Sequence, residues 1–453
     1  KDGTVTNSER RISRQRPLLP ALGEARPDWR ILTDVAQAMG FADNFQYENP
    51  VDIFREHAAL SAFENTESSW RAFNIGGLQM LDNAGYDALQ PVQWPVPDST
   101  ANFGALSSTT RLYTDGRFST PTGKARFIAL QTCAVANAVS PEFPLALNTG
   151  RVRDQWHTMT RTALAPPLNA HKPEPFVEIH PDSAARHTLS NGSLARIRSP
   201  WGSMLARVNV TPSVRPGDLF IPMHWNDQFA RHARVGALVN PATDPFSGQP
   251  ESKHTPCAIE PWQPDWTGFA FSRQELPLPA CDWAVKIRGE QFFRYEFAGL
   301  GDIANWHALA QQLGLGHAGI EADDAPSLFY EDPLQGSFRW AWIEQDQLHA
   351  CAFAGAARSS AIASADRSWM ASLFAKPALD QLDRKALLSG RSPAGVEDCG
   401  RTICACFGVG EKTILKAIRE HNLTSAADVG RLLKAGTNCG SCVAEIKTLL
   451  GSR

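Results

Sequence analysis

The spacing of apolar residues changes character several times along this 453-residue chain. The first 30 residues hold no sustained period, and their Pro- and Arg-rich part reads as an extended segment lying over a larger body. Ile31, Leu32, Val35, Ala36 and Met39 then recur at helical spacing, which predicts a helix over 29–39 with Asp28 as N-cap and Gly40 as its stop. Residues 50–90 read as mostly helical. Residues 91–128 read as loop-rich, with a hairpin formed by 111–113 and 122–127. From Phe143 the texture becomes short runs that alternate or stay apolar, at 144–149, 176–180, 194–199, 203–210 and 218–223, parted by Asn-Gly, Trp-Gly and Pro-Gly signals. Short strands at such intervals predict a closed barrel, with a short helix at 181–186. The pattern over 260–390 is less regular, with a helix near 302–313 and a strand pair near 338–343 and 347–353. In the last 50 residues, Ile414, Leu415 and Ile418 share one face of a helix over 411–421. Thr424 is placed to cap a second helix over 425–435, which Gly436 ends.

These elements predict a mixed α/β multidomain chain with segments 1–140, 143–260, 261–395 and 399–453, the last a small helical module. A formal net charge of -3, without a long basic run, argues against nucleic acid or an anionic membrane as the main partner. No apolar run approaches the roughly 18 residues of a membrane span. Cys133, Cys257, Cys281, Cys351 and Cys399 are scattered without a disulfide framework, which fits a reducing, cytoplasmic setting.

The other four cysteines are grouped. One residue separates Cys404 from Cys406, two separate Cys439 from Cys442, and 32 lie between the pairs, so a helical hairpin would bring four thiols together. Cys-x-Cys is tight for structural zinc, whose ligands stand two to four apart, whereas a 2Fe-2S cluster needs two thiolates per iron. Glycines at 400, 408, 410, 436 and 440 leave room for backbone amides near sulfide. From residue 401 onward eight Lys and Arg face four acids, which offsets the negative charge of a thiolate-bound cluster. Zinc, or unligated buried thiols, is the competing reading.

The second concentration of chemistry is 148–162, Asn-Thr-Gly-Arg-Val-Arg-Asp-Gln-Trp-His-Thr-Met-Thr-Arg-Thr, which follows a strand. A flexible glycine, three arginines, an indole, an imidazole and four hydroxyls suit an anionic heteroaromatic ligand, although a solvated barrel connection is the blander reading. His224 and His232 lack a metal spacing and read as satisfied histidines. No Gly-x-Ser-x-Gly elbow, Walker loop or strand-linked Gly-x-Gly-x-x-Gly is present.

The four cysteines in their glycine-rich frame resemble the iron-sulfur module of bacterioferritin-associated ferredoxin. That resemblance implies Cys404, Cys406, Cys439 and Cys442 as ligands and leaves Cys399 outside. The 148–162 loop, with Ile-His-Pro-Asp-Ser-Ala at 179–184, Pro-Gly-Asp-Leu-Phe-Ile-Pro-Met-His-Trp at 216–225 and Asp-Pro-Phe-Ser-Gly-Gln-Pro-Glu-Ser-Lys at 244–253, resembles molybdopterin oxidoreductases of the dimethyl sulfoxide reductase family. Gly-Thr-Val-Thr-Asn-Ser-Glu-Arg-Arg, from Gly3, is similar to a segment of that family's catalytic domain. The resemblance implies a partial catalytic domain, a six-stranded-type β-barrel that binds molybdopterin guanine dinucleotide, and the iron-sulfur module. It assigns Gly150, Arg151, Trp156, His157 and Thr158 to the dinucleotide, with Asn240 and Lys253 in a second contact stretch. Gly236 stands where relatives carry an asparagine. The strand pair near 338–353 is similar to a small module beside the iron-sulfur domain of nitrite reductases.

The combination resembles the large subunits of bacterial assimilatory nitrate reductases. It implies reduction of nitrate to nitrite at molybdenum, with electrons arriving through the 2Fe-2S cluster from ferredoxin, flavodoxin or an NADH-using flavoprotein subunit. In that family the molybdenum ligand and a 4Fe-4S motif lie upstream of the segments matched here, and no cysteine precedes Cys133, so this chain alone is expected to be inactive. The alternatives are another molybdopterin oxidoreductase, such as a formate dehydrogenase, or a non-catalytic iron-sulfur electron carrier.

Overall fold

The structure, a computed structural model, describes residues 2–66, 69–97, 111–129, 131–301, 328–332, 334, 336–357 and 360–451. They form two compact units, 1–132 and 133–453. No helix among the described residues is long and apolar enough to cross a membrane.

In the first unit the N-terminal stretch is a strand pair, β1 (Gly3–Thr6) with β2 (Arg11–Gln15), and β3 (Val92–Gln93) lies on the other side of β2. The helix Pro50–Ala62 opens on an Asn49/Asp52 capping box and buries Val51, Phe54 and Ala58 with Ile75, Leu78 and Tyr86. The helix Asp28–Ala38 forms as expected, but Asp28 is its first residue and makes no cap. Its apolar stripe stays exposed, from 41% at Ile31 to 68% at Met39, and the residue it buries is Thr33. The hairpin expected at 111–127 does not form. A turn closed by Phe118 N–H to the Gly123 carbonyl (2.9 Å) stands there, and Pro121, which has no N–H to offer a ladder, sits inside it.

The second unit begins with a closed six-stranded barrel. Its strands are β4 (Leu145–Gly150), β5 (Phe176–Ile179), β6 (Leu194–Ser199), β7 (Gly202–Val210), β8 (Asp218–Pro222) and, after β9 (Ala230–Arg231), which joins another sheet, β10 (Thr255–Pro261). Their order around the barrel is β10-β4-β8-β5-β7-β6, with β4/β8 and β5/β7 parallel. Leu147, Val177, Ile179, Ala195, Ile197, Leu219 and Ile221 fill the interior. Closure removes the unpaired edges that short strands would otherwise expose. The sixth strand escaped the pattern because it carries prolines at 256 and 261.

Residues 266–356 are far more regular than their pattern suggests. They build an antiparallel sheet ordered β14-β15-β16-β11-β13-β12-β9, from β11 (Trp266–Ser272), β12 (Trp283–Arg288), β13 (Phe293–Gly299), β14 (Leu328–Asp332), β15 (Ser337–Glu344) and β16 (Gln347–Ala356), with β9 at its edge. One face buries Tyr295, Phe297 and Trp340. The other packs Phe269, Phe271 and Phe353 against Trp369, Met370 and Leu387 of the helices Arg367–Leu373 and Gln381–Ser389. Central strands covered on both faces lose the period of two that marks a half-exposed strand, which is why the pattern looked irregular. The helix expected near 302–313 lies outside the described residues.

The terminal module is a small hairpin, β17 (Thr402–Cys404) with β18 (Val409–Gly410), followed by helices Glu411–Glu420, Ala426–Leu433 and Val443–Gly451. Ile403, Ile414, Ile418, Val429 and Ile446 make its core. Ser425, one residue later than expected, caps the second helix in a box with Asp428.

Candidate iron-sulfur and dinucleotide site

The 148–162 loop leaves the barrel where β4 ends. Gly150 has no room for a side chain there, since a Cβ would lie 2.6 Å from the Phe220 ring. Beyond it His157 (φ 44°) and Met159 (φ 60°) adopt left-handed backbone, a conformation that surrounding contacts must hold in non-glycine residues. His224 supplies two of those contacts: its Nε2 accepts the Val152 N–H (2.9 Å) and its Nδ1–H donates to the His157 carbonyl (2.7 Å). Burial holds its pKa below the ordinary value, with Arg151 and His157 adding to that and the bond to the His157 carbonyl opposing it. Asn226 donates to the Thr158 carbonyl at 3.3 Å. His224 is thus a satisfied core histidine whose work is to shape the loop.

That loop presents Arg151, Trp156, His157 and Thr158 to the exterior. The Arg151 guanidinium lies 5.0 Å from the Trp156 ring centroid, and His157 meets the same indole edge-on at 4.5 Å. A guanidinium fork and an exposed indole side by side offer an anion donor and a stacking face to one ligand. Lys253 joins them from the 244–253 stretch, its ammonium donating to the Thr149 carbonyl next to Gly150. Asn240 is different: it is 2% exposed and donates to the Glu251 (3.1 Å) and His254 (2.6 Å) carbonyls, so it shapes the segment that carries Lys253. Gly236 stands in open space, its nearest neighbour for an added Cβ being Arg234 Cγ at 3.9 Å.

All four grouped cysteines line a single cavity of about 290 Å³. The two sequence pairs interleave: Cys406 Sγ lies 3.4 Å from Cys439 Sγ, and the free thiols of Cys404 and Cys442 stand within hydrogen-bonding reach of each other. The first couple is exposed and the second buried. Burial, followed by the charge of neighbouring Cys404, pushes the Cys442 thiol up to about 11. The hydroxyl and then the backbone N–H of Ser441 hold Cys439 low. Two close thiols that cannot both ionise unaided are relieved by a bound cation. No three or more His, Cys, Asp or Glu side chains among the described residues are disposed around one ion. Thiols standing as two couples around a wider space match the donor set of a two-iron centre, in which each iron takes two thiolates. Gly440 (φ 74°) turns the second cysteine loop, whereas Gly410 is small for another reason than an approach to sulfide: a Cβ there would lie 2.0 Å from the Cys399 carbonyl. Cys399 itself is exposed and lines no part of the cavity.

Opposite the cysteine module the cavity wall is Arg153, Asp154, Gln155, Trp156, Thr162 and Leu168, so the dinucleotide loop and the cysteine module share one space. A buried polar joint lies behind it. His171 Nδ1 donates to Asp154 Oδ2 at 2.5 Å and Nε2 donates to Glu445 Oε1 at 3.2 Å, with both ring nitrogens as donors in the cationic form. Burial opposes that charge, but the bonds to Asp154 and Glu445 prevail and raise the His171 pKa above 6.5. Asp154 and Glu445 are lowered in turn; burial opposes this, and His171 and then Arg153 overcome it. The signs define a window. The histidine's contribution is complete below its ordinary pKa and is lost as pH rises through the raised one. The carboxylates' contribution is present above their ordinary values and is lost as pH falls through the lowered ones. His171→Gln is expected to cost about 1.5–3 kcal/mol near pH 6 and progressively less above the raised pKa, checked by thermal unfolding of both proteins across pH. Sequence reading placed Arg153 in the ligand loop but missed its partners and missed His171 and Glu445, because charged residues so far apart in the chain carry no local signal.

The barrel with its arginine-indole loop, joined to a four-cysteine module, defines the class: a molybdopterin dinucleotide-binding domain followed by a 2Fe-2S domain. Residues 145–256 match the family model described as molydopterin dinucleotide binding domain, and residues 402–452 match the BFD-like [2Fe-2S] binding domain. Along its whole length the chain is similar to proteins named nitrate reductase. It is 43% identical over its whole length to a nitrate reductase of Klebsiella oxytoca, of which it covers 49%. A nitrate reductase of Shewanella frigidimarina is 36% identical over 63% of the chain and 32% of that protein. A putative formate dehydrogenase of Bacillus subtilis is 34% identical over 57% of the chain and 24% of that protein. The chain thus spans about half the length of the first relative and less of the others.

Proposed function

We propose that this chain is the C-terminal part of a cytoplasmic assimilatory nitrate reductase, with nitrate as substrate and ferredoxin, flavodoxin or an NADH-using flavoprotein subunit as donor. The observation that carries it is the shared cavity: four thiols on one wall and the loop of a molybdopterin dinucleotide domain on the other. When bound, the molybdenum cofactor supplies two-electron removal of an oxygen atom from nitrate, and the 2Fe-2S cluster supplies electrons singly. This chain's residues bind and orient. Cys404, Cys406, Cys439 and Cys442 hold the cluster. Arg151 and Lys253 neutralise the dinucleotide's phosphates, Trp156 and His157 offer stacking faces, and Gly150 and Thr158 give close backbone and hydroxyl contact.

The test is turnover by the complete protein with nitrate and with formate, under a low-potential reductant. Nitrite appearing with reductant consumption supports the proposal. Formate oxidation without nitrite places the protein with the formate dehydrogenases, and absence of fluorescent oxidised pterin on denaturation makes it a non-catalytic carrier. Within the complete protein Arg151→Ala is expected to weaken cofactor retention roughly 10- to 100-fold, the loss of one charge-assisted contact, measured as pterin released per protein.

A further inference from the structure

We propose that Arg153 is a positioning residue for electron transfer: from the dinucleotide loop it ties the two cysteine loops together and sets a positive charge beside them. The proposal rests on reading the four cysteines as cluster ligands.

Arg153 Nη2 donates to the Ile403 carbonyl at 2.6 Å, and Nη1 donates to the Ser441 carbonyl at 3.1 Å. Those carbonyls belong to the residues immediately before Cys404 and Cys442, the two buried thiols. The same guanidinium is paired with Glu445 at the start of the last helix, and its Nε lies 3.2 Å from Asp154 Oδ2. One planar fork therefore spans two loops about 40 residues apart in the module, from a strand-anchored loop some 250 residues earlier. A lysine ammonium lacks the rigid planar fork that holds both carbonyls at once here. The cysteine module closes one side of its own site, and the barrel completes the other.

The charge matters as well as the bonds. The guanidinium lines the cavity the thiols line, and its side chain is 21% exposed, so solvent screens it only in part. A positive charge there favours the more negative, reduced state of a thiolate-bound centre, as outer-shell groups do for metal sites in general. Glu445, its ion-pair partner, opposes it, with His171 and Arg401 also in contact with Glu445, and Asp154 stands next to Arg153.

The experiment is a spectroscopically monitored reductive titration of the 2Fe-2S signal in this chain, unaltered and as Arg153→Met, Arg153→Lys and Glu445→Gln. Arg153→Met is expected to make the cluster harder to reduce, by about tenfold in the reduced-to-oxidised ratio at fixed poise, or 59 mV for one electron. Glu445→Gln is expected to shift it the opposite way. Arg153→Lys, which keeps the charge, should stay near the unaltered midpoint while losing amide exchange protection in 403–406 or 439–442. Shifts of the same sign in Arg153→Met and Glu445→Gln, or no shift in either, would overturn the proposal. If Arg153→Met does not fold, Glu445→Gln and Arg153→Lys decide it by sign and by exchange. A two-iron spectrum absent from the unaltered chain would sink the ligand reading itself, a result distinguishable from unmoved midpoints.

Discussion

Replacing Cys442 with serine is expected to abolish the visible absorption and paramagnetic signal of the two-iron centre. Cys442 is buried beside Cys404, and its thiol is held up to about 11 by burial and by that neighbour. It ionises at neutral pH only if a cation takes up the charge, so in the folded chain its proton release reports metal binding. A serine hydroxyl there is a far weaker acid and a harder donor, and three thiolates leave one iron short of its pair. The remaining cysteines provide the contrast. Cys399→Ser should leave the spectrum intact, because that exposed thiol lies outside the cavity. Cys257 is buried, with its thiol pushed up to about 12 by burial alone, and Cys351 is raised still further. Neither lines the cavity that the four grouped cysteines share. Stoichiometric zinc without iron in the purified chain, or a Cys442→Ser variant that keeps the two-iron spectrum, would refute the assignment.

The largest stability loss is expected from Glu296→Ala, outside the cavity of the four grouped cysteines. Glu296 projects from the central strand β13 and is 5% exposed. Arg367 meets it with both arms of its fork, Nε at 2.7 Å and Nη2 at 3.2 Å, and Arg294 Nε lies 3.2 Å away. Burial alone would drive the carboxyl to its neutral form, but Arg367 and then Arg294 hold its pKa below the ordinary value. Arg367 also lies 4.1 Å over the Phe269 ring, so the pair connects the sheet to the helix Arg367–Leu373 that covers it. Removing the carboxylate leaves two partly buried guanidinium groups uncompensated, at a cost of about 3 kcal/mol. Urea unfolding at neutral pH measures that loss. Since the folded pKa is lowered, the advantage over the variant is present above the ordinary glutamate range and fades as pH falls through the folded value. An unfolding midpoint in Glu296→Ala equal to that of the unaltered chain would show that the pair contributes nothing net.

Five of the six barrel strands were legible because each is half-buried and bounded by a turn signal, and the period of two survives in such strands. Of the sheet over 266–356 the β15–β16 pair was legible, but the strands around it were not, because central strands covered on both faces carry no period. The helix 28–38 shows the converse: its period was plain, yet that period stated only which residues share a face, and the face remains exposed. Local capping was read to within one residue, as at Ser425, since a cap depends on chain neighbours alone.

The four grouped cysteines, the arginine-indole loop and the barrel strands lie in contiguous stretches, so their chemistry can be read from residue order. Folding decides how those stretches meet. The crossing of the thiols into Cys406 with Cys439 and Cys404 with Cys442 depends on how two loops face each other. The bonds from Arg153 to the carbonyls before Cys404 and Cys442, and the His171 joint between Asp154 and Glu445, span 250 residues or more at their longest. Such contacts are specified by packing of whole elements, whose positions depend on every other element in the unit, and no window of sequence holds that information.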